Sequence, residues 1–188
     1  MRAWPKLRAN LACGPILWTL GALAPAAFEA APAIAATPVP AYALLQRPAP
    51  DFALPAAVGD NVRLSEYRGQ PVVLAFWSSR CGTCAAMLAA LARYYATYRS
   101  SGLMVLAVSV EDDPRRASNY ARAHATSYPL LLDQTKSVSR AYQIERLPTT
   151  VLIDRSGLVR YLHSDDRAGD AVYVAQIRAL LDDKVDTP

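Results

Sequence analysis

Two cysteines, Cys81 and Cys84, carry the clearest chemistry in the sequence, because only two residues separate them. Residues at this spacing share one face of a helix, which brings their sulfurs close enough to bridge. Such a pair can alternate between a dithiol and a disulfide, and it then holds or delivers two electrons. The spacing therefore favours redox exchange.

The cysteine pair lies between two segments with different patterns. Residues 72–77 form an apolar run rich in β-branched and aromatic side chains, which predicts a buried strand. Residues 85–99 are rich in Ala and Leu with apolar residues at helical spacing, which predicts a helix. The pair thus falls in the first turn of a helix, where unpaired N–H groups favour a thiolate and lower the pKa of a cysteine to about 3.5–7.5.

Two other roles for the cysteines are open on sequence grounds. A structural disulfide is one, although the stabilisation in the chain-entropy model shrinks with loop length and this loop is very short. A zinc site is the other, although it usually needs a second cysteine pair, and the chain has three cysteines in all. His124 and His163 stand far apart in sequence. We predict no metal and no organic cofactor, because the two sulfurs themselves hold the electrons.

The composition fits a globular protein and gives no footprint for nucleic acid. The 188 residues are 53% hydrophobic and carry a formal net charge of +4. A nucleic-acid-binding protein usually concentrates basic residues on one face. Here the adjacent pair Arg115-Arg116 directly follows the acidic run 111–113. We interpret residues 111–116 as the solvated start of a helix and predict no nucleic-acid partner.

Residues 1–36 have the three parts of a secretory signal. The segment begins with three cations, Arg2, Lys6 and Arg8. An apolar stretch at 11–28 follows, and Ala33-Ile34-Ala35 offers a cleavage site. An uncleaved membrane anchor is the alternative interpretation. Both place the folded domain in the periplasm or otherwise outside the cytoplasm, where a cysteine pair tends to be oxidised unless a partner reduces it.

The remaining chain divides into three predicted segments. Residues 37–50 are a Pro-rich linker, residues 51–182 a folded domain and residues 183–188 a tail. Within the domain, the patterns predict the element order β-β-β-α-β-α-β-α-β-β-α. Continuous apolar runs such as 103–110 indicate strands that are covered on both faces. We therefore expect an α/β fold with a mixed sheet flanked by helices.

Four motifs occur in order along this domain. They are Asp51-Phe52-x-Leu54, Leu64-Ser65-x-Tyr67-Arg68-Gly69, Val73-Leu74-x-Phe76-Trp77 with Cys81-x-x-Cys84, and Leu147-Pro148-Thr149-Thr150-x-Leu152-Ile153-Asp154. Together they resemble the TlpA/ResA-like family of exported thioredoxin-fold proteins, over residues 48–181. The resemblance implies a thioredoxin fold with an N-terminal β-hairpin extension. It also implies that Cys81 is the exposed nucleophile and Cys84 the resolving thiol.

The resemblance further implies a substrate-binding surface and partners. Pro148 would be a cis-proline facing the cysteines, and Leu147 before it would contact the bound thiol substrate. Trp77 and Arg80, which flank the loop before the pair, complete the predicted substrate-binding residues. The implied activity is reduction of protein disulfides, as in cytochrome c maturation or metal-centre assembly. A membrane thiol reductase would then supply the electrons.

The sequence departs from the family at informative places. The residues before each cysteine, Arg80 and Thr83, replace the aromatic residue and the proline that are frequent there. Ala75 and Met87 occupy the positions at which related proteins carry an internal carboxylate, and Glu145 is the acid nearest to Pro148 in sequence. The sequence therefore identifies no residue for proton transfer.

Two rival functions stay open from the sequence. A thiol peroxidase would share the fold and the Asp51-Phe52 start. A copper-binding protein would use the same dithiol for metal delivery, because soft thiolates suit Cu(I), with His124 or His163 brought close by folding.

Overall fold

The computed structural model of this chain describes residues 41–124, 127–164 and 170–183. The predicted signal or anchor at 1–36 and residues 184–188 of the predicted tail lie outside these residues. Among the residues that are described, no helix has both the length and the apolar character that crossing a membrane requires.

The described residues form strands and helices in the order that the sequence predicts. The strands are β1 (Ala53–Leu54), β2 (Val62–Arg63), β3 (Val72–Trp77), β4 (Met104–Ser109), β5 (Leu130–Leu132), β6 (Thr149–Ile153) and β7 (Val159–His163). The helices are α1 (Cys84–Tyr98), α2 (Pro114–His124), α3 (Ser137–Ala141) and α4 (Ala171–Asp182).

Five of the strands build one mixed sheet in the order β5-β4-β3-β6-β7. Strands β3, β4 and β5 run parallel, whereas β6 pairs antiparallel with both β3 and β7. Strands β1 and β2 form a separate antiparallel pair on the N-terminal side. The predicted mixed sheet with an N-terminal hairpin is therefore confirmed.

Strand β3 lies at the centre of the sheet, and all its residues are buried. Because side chains alternate across a strand, Val73, Ala75 and Trp77 pack on one face together with residues of α1 and α4. Leu74 and Phe76 pack on the opposite face with residues of α3 and of the N-terminal hairpin. Helices therefore fix the strand from both sides, and the loop that leaves its end starts from a rigid position.

Residues 45–50, which lie within the predicted Pro-rich segment, pair with the folded domain. The Gln46 N–H donates to the Val159 carbonyl at 2.7 Å, and the Val159 N–H donates to the Arg47 carbonyl at 2.9 Å. This segment therefore lies along β7, at the edge of the sheet. Its prolines are compatible with this position, because proline is tolerated in a segment that pairs at a sheet edge.

Candidate active site

The cysteines lie in a tight loop between the end of β3 and the start of α1. The Cys81 N–H donates to the Ser78 carbonyl at 3.1 Å, and the Cys84 N–H donates to the Cys81 carbonyl at 3.2 Å. Cys84 is the first residue of α1, which begins one residue earlier than the sequence predicts. The predicted position of the pair at a strand-to-helix junction is confirmed.

Cys81 and Cys84 form a disulfide in which the two Cα atoms are 5.3 Å apart. Cys84 is only 1% exposed, whereas Cys81 is half-buried. Cys81 is therefore the one residue of the pair that a partner molecule can reach from solution.

The N-terminus of α1 is suited to a negative charge. Its first turn contains no acidic side chain, and Thr83 at the N-cap makes no capping hydrogen bond through its side chain. The Thr83 hydroxyl oxygen lies 3.9 Å from the Cys81 sulfur instead. Because a helix N-terminus carries roughly half a positive charge, this position favours a thiolate when the disulfide is reduced.

Arg80 is paired with a carboxylate beside the loop. Its Nη2 lies 3.4 Å from Asp112 Oδ2, and the Arg80 side chain is 66% exposed. Lys136 Nζ approaches the other oxygen of the same carboxylate, Asp112 Oδ1, at 3.1 Å. The hydrogen bond and the charge of Lys136 lower the pKa of Asp112, and the charge of Arg80 adds to this effect. Arg80 therefore forms an ion pair with Asp112, which weakens the effect of its positive charge on Cys81.

Glu111 lies under the loop and is 3% exposed. Its Oε1 accepts a hydrogen bond from the Ser78 hydroxyl at 3.1 Å and another from the Ser79 N–H. Burial alone raises the pKa of Glu111, but the hydrogen bonds from Ser79 and Ser78 and the charge of Arg80 outweigh it and hold this pKa below its usual value. The carboxylate therefore stays ionised at neutral pH.

The burial of Glu111 corrects the interpretation for this one residue, whereas the rest of the predicted solvated helix start, residues 112–116, leads into α2 and is largely exposed. Strands β3 and β4 run parallel with Trp77 opposite Ser109, so the residues that follow both strands meet at the same edge of the sheet. Glu111, Ser78 and Ser79 are site residues that the sequence alone did not single out. The available signal was that an acid and two serines follow two adjacent buried strands.

The loop before β6 reaches the same edge of the sheet. The peptide bond between Leu147 and Pro148 is cis, as the resemblance implies. Thr149 pairs with Phe76, so Pro148 stands beside the end of β3 that leads to the cysteines. Leu147 and Cys81 both pack against the core cluster that contains Trp77. This loop therefore borders the cysteine pair.

The predicted substrate-binding residues differ in exposure. Leu147 is half-buried and Arg80 is exposed, so both are accessible, whereas Pro148 is buried. Trp77 is fully buried, and its ring centroid lies 4.7 Å from that of Tyr120. A residue with no exposed surface cannot contact a substrate, so Trp77 is corrected to a core residue beneath the loop. Substrate contact by the other three stays a prediction.

His163, a candidate metal ligand in the sequence, contacts residues of α4 in the structure. Its Nε2 lies 2.7 Å from Gln176 Oε1, and its ring packs 5.1 Å from that of Tyr173. The side chain of His124 lies outside what the structure describes. In the described part of the chain, no group of three or more His, Cys, Asp and Glu side chains is arranged to hold a metal ion. The copper-binding alternative therefore gains no third ligand from these residues.

Comparison with known proteins identifies the family. A family model described as AhpC/TSA matches residues 45–162. The chain belongs to the AhpC/TSA family. It is 35% identical over 114 residues to the thiol-disulfide oxidoreductase ResA of Geobacillus kaustophilus strain HTA426, covering 61% of this chain and 66% of the relative. It is 32% identical over 111 residues to ResA of Bacillus subtilis strain 168, covering 59% and 62%. The chain thus spans slightly less than two thirds of the length of these relatives.

Solved structures of two bacterial proteins agree with this fold. A Chlorobium tepidum protein provisionally named thiol:disulfide interchange protein DsbE superposes with a TM-score of 0.68 at 32% identity, covering 71% of this chain and 95% of that one. A thiol:disulfide interchange protein of the thioredoxin family from Chlorobium tepidum TLS superposes with a TM-score of 0.64 at 21% identity, covering the same shares. The predicted thioredoxin fold is confirmed.

Proposed function

We propose that the protein is a thiol–disulfide oxidoreductase that reduces disulfides of protein substrates through Cys81 and Cys84. The observation that carries this proposal is the disulfide at the start of α1, in which Cys81 is accessible and Cys84 is buried. The exposed sulfur can attack a substrate while the buried one is held beside it. The names of the relatives support the same activity.

The first step of the proposed reaction is attack by Cys81. In the reduced protein, the Cys81 thiolate attacks one sulfur of the substrate disulfide, and the substrate S–S bond breaks. The other substrate sulfur leaves as a thiolate and takes up a proton. A mixed disulfide then joins Cys81 to the substrate. The N-terminus of α1 supports this step, because its partial positive charge favours the attacking thiolate.

The second step releases the substrate. Cys84 loses its proton and attacks the Cys81 sulfur, which breaks the mixed disulfide and forms the Cys81–Cys84 bond. The substrate has then gained two electrons and two protons. The protein has lost two electrons and the Cys84 proton, and the Cys81 proton was released earlier, when the thiolate formed. A thiol reductant must therefore restore the dithiol before the next cycle.

We place this reaction outside the cytoplasm and assign the supply of electrons to a membrane thiol reductase. The signal-like residues 1–36 support export, as a cleaved signal or as an anchor. An oxidising compartment would leave the pair as a disulfide without such a donor. Fractionation of cells that express the full chain tests the location, which recovery in the cytoplasm would contradict.

Cysteine substitutions test the proposed mechanism. In an insulin-reduction assay with the full chain, Cys81→Ser abolishes activity because the nucleophile is lost. Cys84→Ser also stops turnover, but it accumulates a mixed disulfide with insulin because nothing resolves it. Mass spectrometry detects this adduct as an increase in the mass of the protein by one insulin chain, which a thiol reductant reverses.

The chain supplies its own control for these variants. Cys13→Ser removes a cysteine and leaves the pair intact, so we expect it to retain full activity. Full activity in both Cys81→Ser and Cys84→Ser would contradict the proposed function. An adduct that forms through Cys84 in the Cys81→Ser variant would reverse the two assigned roles.

A further inference from the structure

Glu111 is a buried acid that the proposed reaction does not use. It follows β4, and its Oε1 accepts hydrogen bonds from the Ser78 hydroxyl and the Ser79 N–H. The Ser78 hydroxyl also accepts from the Arg80 N–H at 3.2 Å, and the Ser78 carbonyl accepts from the Cys81 N–H at 3.1 Å. One carboxylate thus holds the residues that fix the backbone before Cys81.

Three other charged groups beside this loop, Asp112, Arg80 and Lys136, pair with each other. Asp112 joins Arg80 at 3.4 Å and Lys136 at 3.1 Å. The Lys136 ammonium also donates to the carbonyl of Val110. Glu111 therefore lies beside a second acid, Asp112, whose two basic partners are Arg80 and Lys136.

We propose that Glu111 is a positioning residue that orients the loop before Cys81 and, by its negative charge, disfavours the Cys81 thiolate and makes the cysteine pair a stronger reductant. This inference rests on the proposed function, because it concerns the same redox pair. It supplies an internal carboxylate for a site whose sequence shows Ala75 and Met87 at the positions where related proteins carry one.

The electrostatic reason acts on the reduced state alone. A like charge near a thiol disfavours its ionised form, whereas the disulfide carries no charge that Glu111 could repel. Destabilising the reduced form lowers the reduction potential, so the pair releases its electrons more readily. The opposite case is known, since a stabilised reduced form makes a dithiol pair a strong oxidant. The hydrogen bonds that keep Glu111 ionised maintain this effect at neutral pH. Glu111 also interacts with the positive charge of Arg80, and this interaction reduces the extent to which Arg80 favours the Cys81 thiolate.

The test replaces Glu111 with glutamine, which keeps the size of the side chain and removes its charge. The pKa of Cys81 is read from the pH dependence of iodoacetamide alkylation in the reduced full chain, which needs no substrate. We expect the alkylation midpoint of Glu111→Gln to fall by about one pH unit, the size of a modest charge effect. In glutathione buffers at pH 8, we expect the equilibrium to move about tenfold towards the dithiol, or about 30 mV.

Two variants separate charge from structure. Asp113→Asn removes an acid two residues away from Glu111, whose Oδ1 lies 3.9 Å from Arg115 Nε. This variant should leave the alkylation midpoint and the glutathione equilibrium unchanged. Ser78→Ala removes one hydrogen bond to Glu111 but keeps its charge, so it should shift both readouts less than Glu111→Gln does. Wild-type values of the Cys81 pKa and of the glutathione equilibrium in a folded Glu111→Gln protein would overturn the proposal.

A second measurement keeps the proposal testable if Glu111→Gln does not fold. In the reduced wild-type protein, the Glu111 carboxyl carbon should show an NMR inflection at the pH where Cys81 ionises. A flat titration curve through that pH would overturn the proposal. Because neither readout involves turnover, either can fail while the insulin assay succeeds, which separates this inference from the proposed function.

Discussion

Replacing Met87 with Glu puts an acid at the position where related proteins often carry one, but where this chain buries an apolar side chain. Met87 is 1% exposed and packs in the core cluster with Trp77 and Leu91. It lies three residues after Cys84 on α1, so it shares a helix face with the buried cysteine. The substitution therefore tests whether this side of the site is as apolar as its packing indicates.

The expected cost of Met87→Glu has two parts. Loss of the buried methionine costs about 1.5–3 kcal/mol of transfer free energy, and burying an unpaired neutral carboxyl costs about 1–3 kcal/mol more. Ionisation adds a pH-dependent cost. If burial raises the pKa of Glu in the folded state by about two units above its unfolded value of about 4.3, a further 2–3 kcal/mol or so is lost between pH 4 and pH 8. The sign follows because a folded-state pKa above the unfolded value removes stability as the pH rises.

Urea unfolding at pH 4 and pH 8 measures this prediction. The control is Met87→Leu, which conserves volume and should cost less than about 1.5 kcal/mol at either pH. We expect the difference in unfolding free energy between Met87→Glu and Met87→Leu to widen from pH 4 to pH 8. An equal difference at the two pH values would refute the reasoning, because it would show that water or a polar group solvates the side chain.

Two further predictions concern the surface beside the cysteines and the N-terminal segment. Leu147→Ala should lower kcat/KM for insulin about tenfold while leaving the reduction potential unchanged. The reason is that it removes one apolar contact with the substrate, worth about 1.4 kcal/mol. An unchanged kcat/KM would show that Leu147 does not belong to the binding surface. Tyr142→Phe should lower the free energy of unfolding in urea by about 1 kcal/mol, because the Tyr142 hydroxyl donates to the Pro50 carbonyl at 2.8 Å; wild-type stability would show that this hydrogen bond does not hold residues 45–50 to the domain.

Local patterns in the sequence were sufficient to predict the elements around the cysteines. Each of the two patterns, the apolar run of β3 and the Ala- and Leu-rich run of α1, depends only on residues that are neighbours in sequence. The strand-to-helix junction at Cys81 could therefore be located without knowing the rest of the fold. The cis bond before Pro148 depended instead on the resemblance to a family, since most X–Pro bonds are trans.

The features that the sequence did not reveal depend on which elements become neighbours. Glu111 is buried because β4 pairs in parallel with β3, and this pairing brings its carboxylate under Ser78 and Ser79. In sequence it is simply the first residue of an acidic run. Trp77 is withdrawn from the surface for a similar reason, since its ring packs against Tyr120 of α2. Exposure at the end of a strand is thus decided by tertiary packing.

The reduction potential of the Cys81–Cys84 couple tests the central claim most directly. Equilibration of the full chain with glutathione redox buffers, followed by alkylation and mass measurement, gives this potential. The proposed reductase predicts a value near that of thioredoxin, about −270 mV. A value near that of the oxidant DsbA, about −120 mV, would contradict the proposal and make the protein a donor of disulfides.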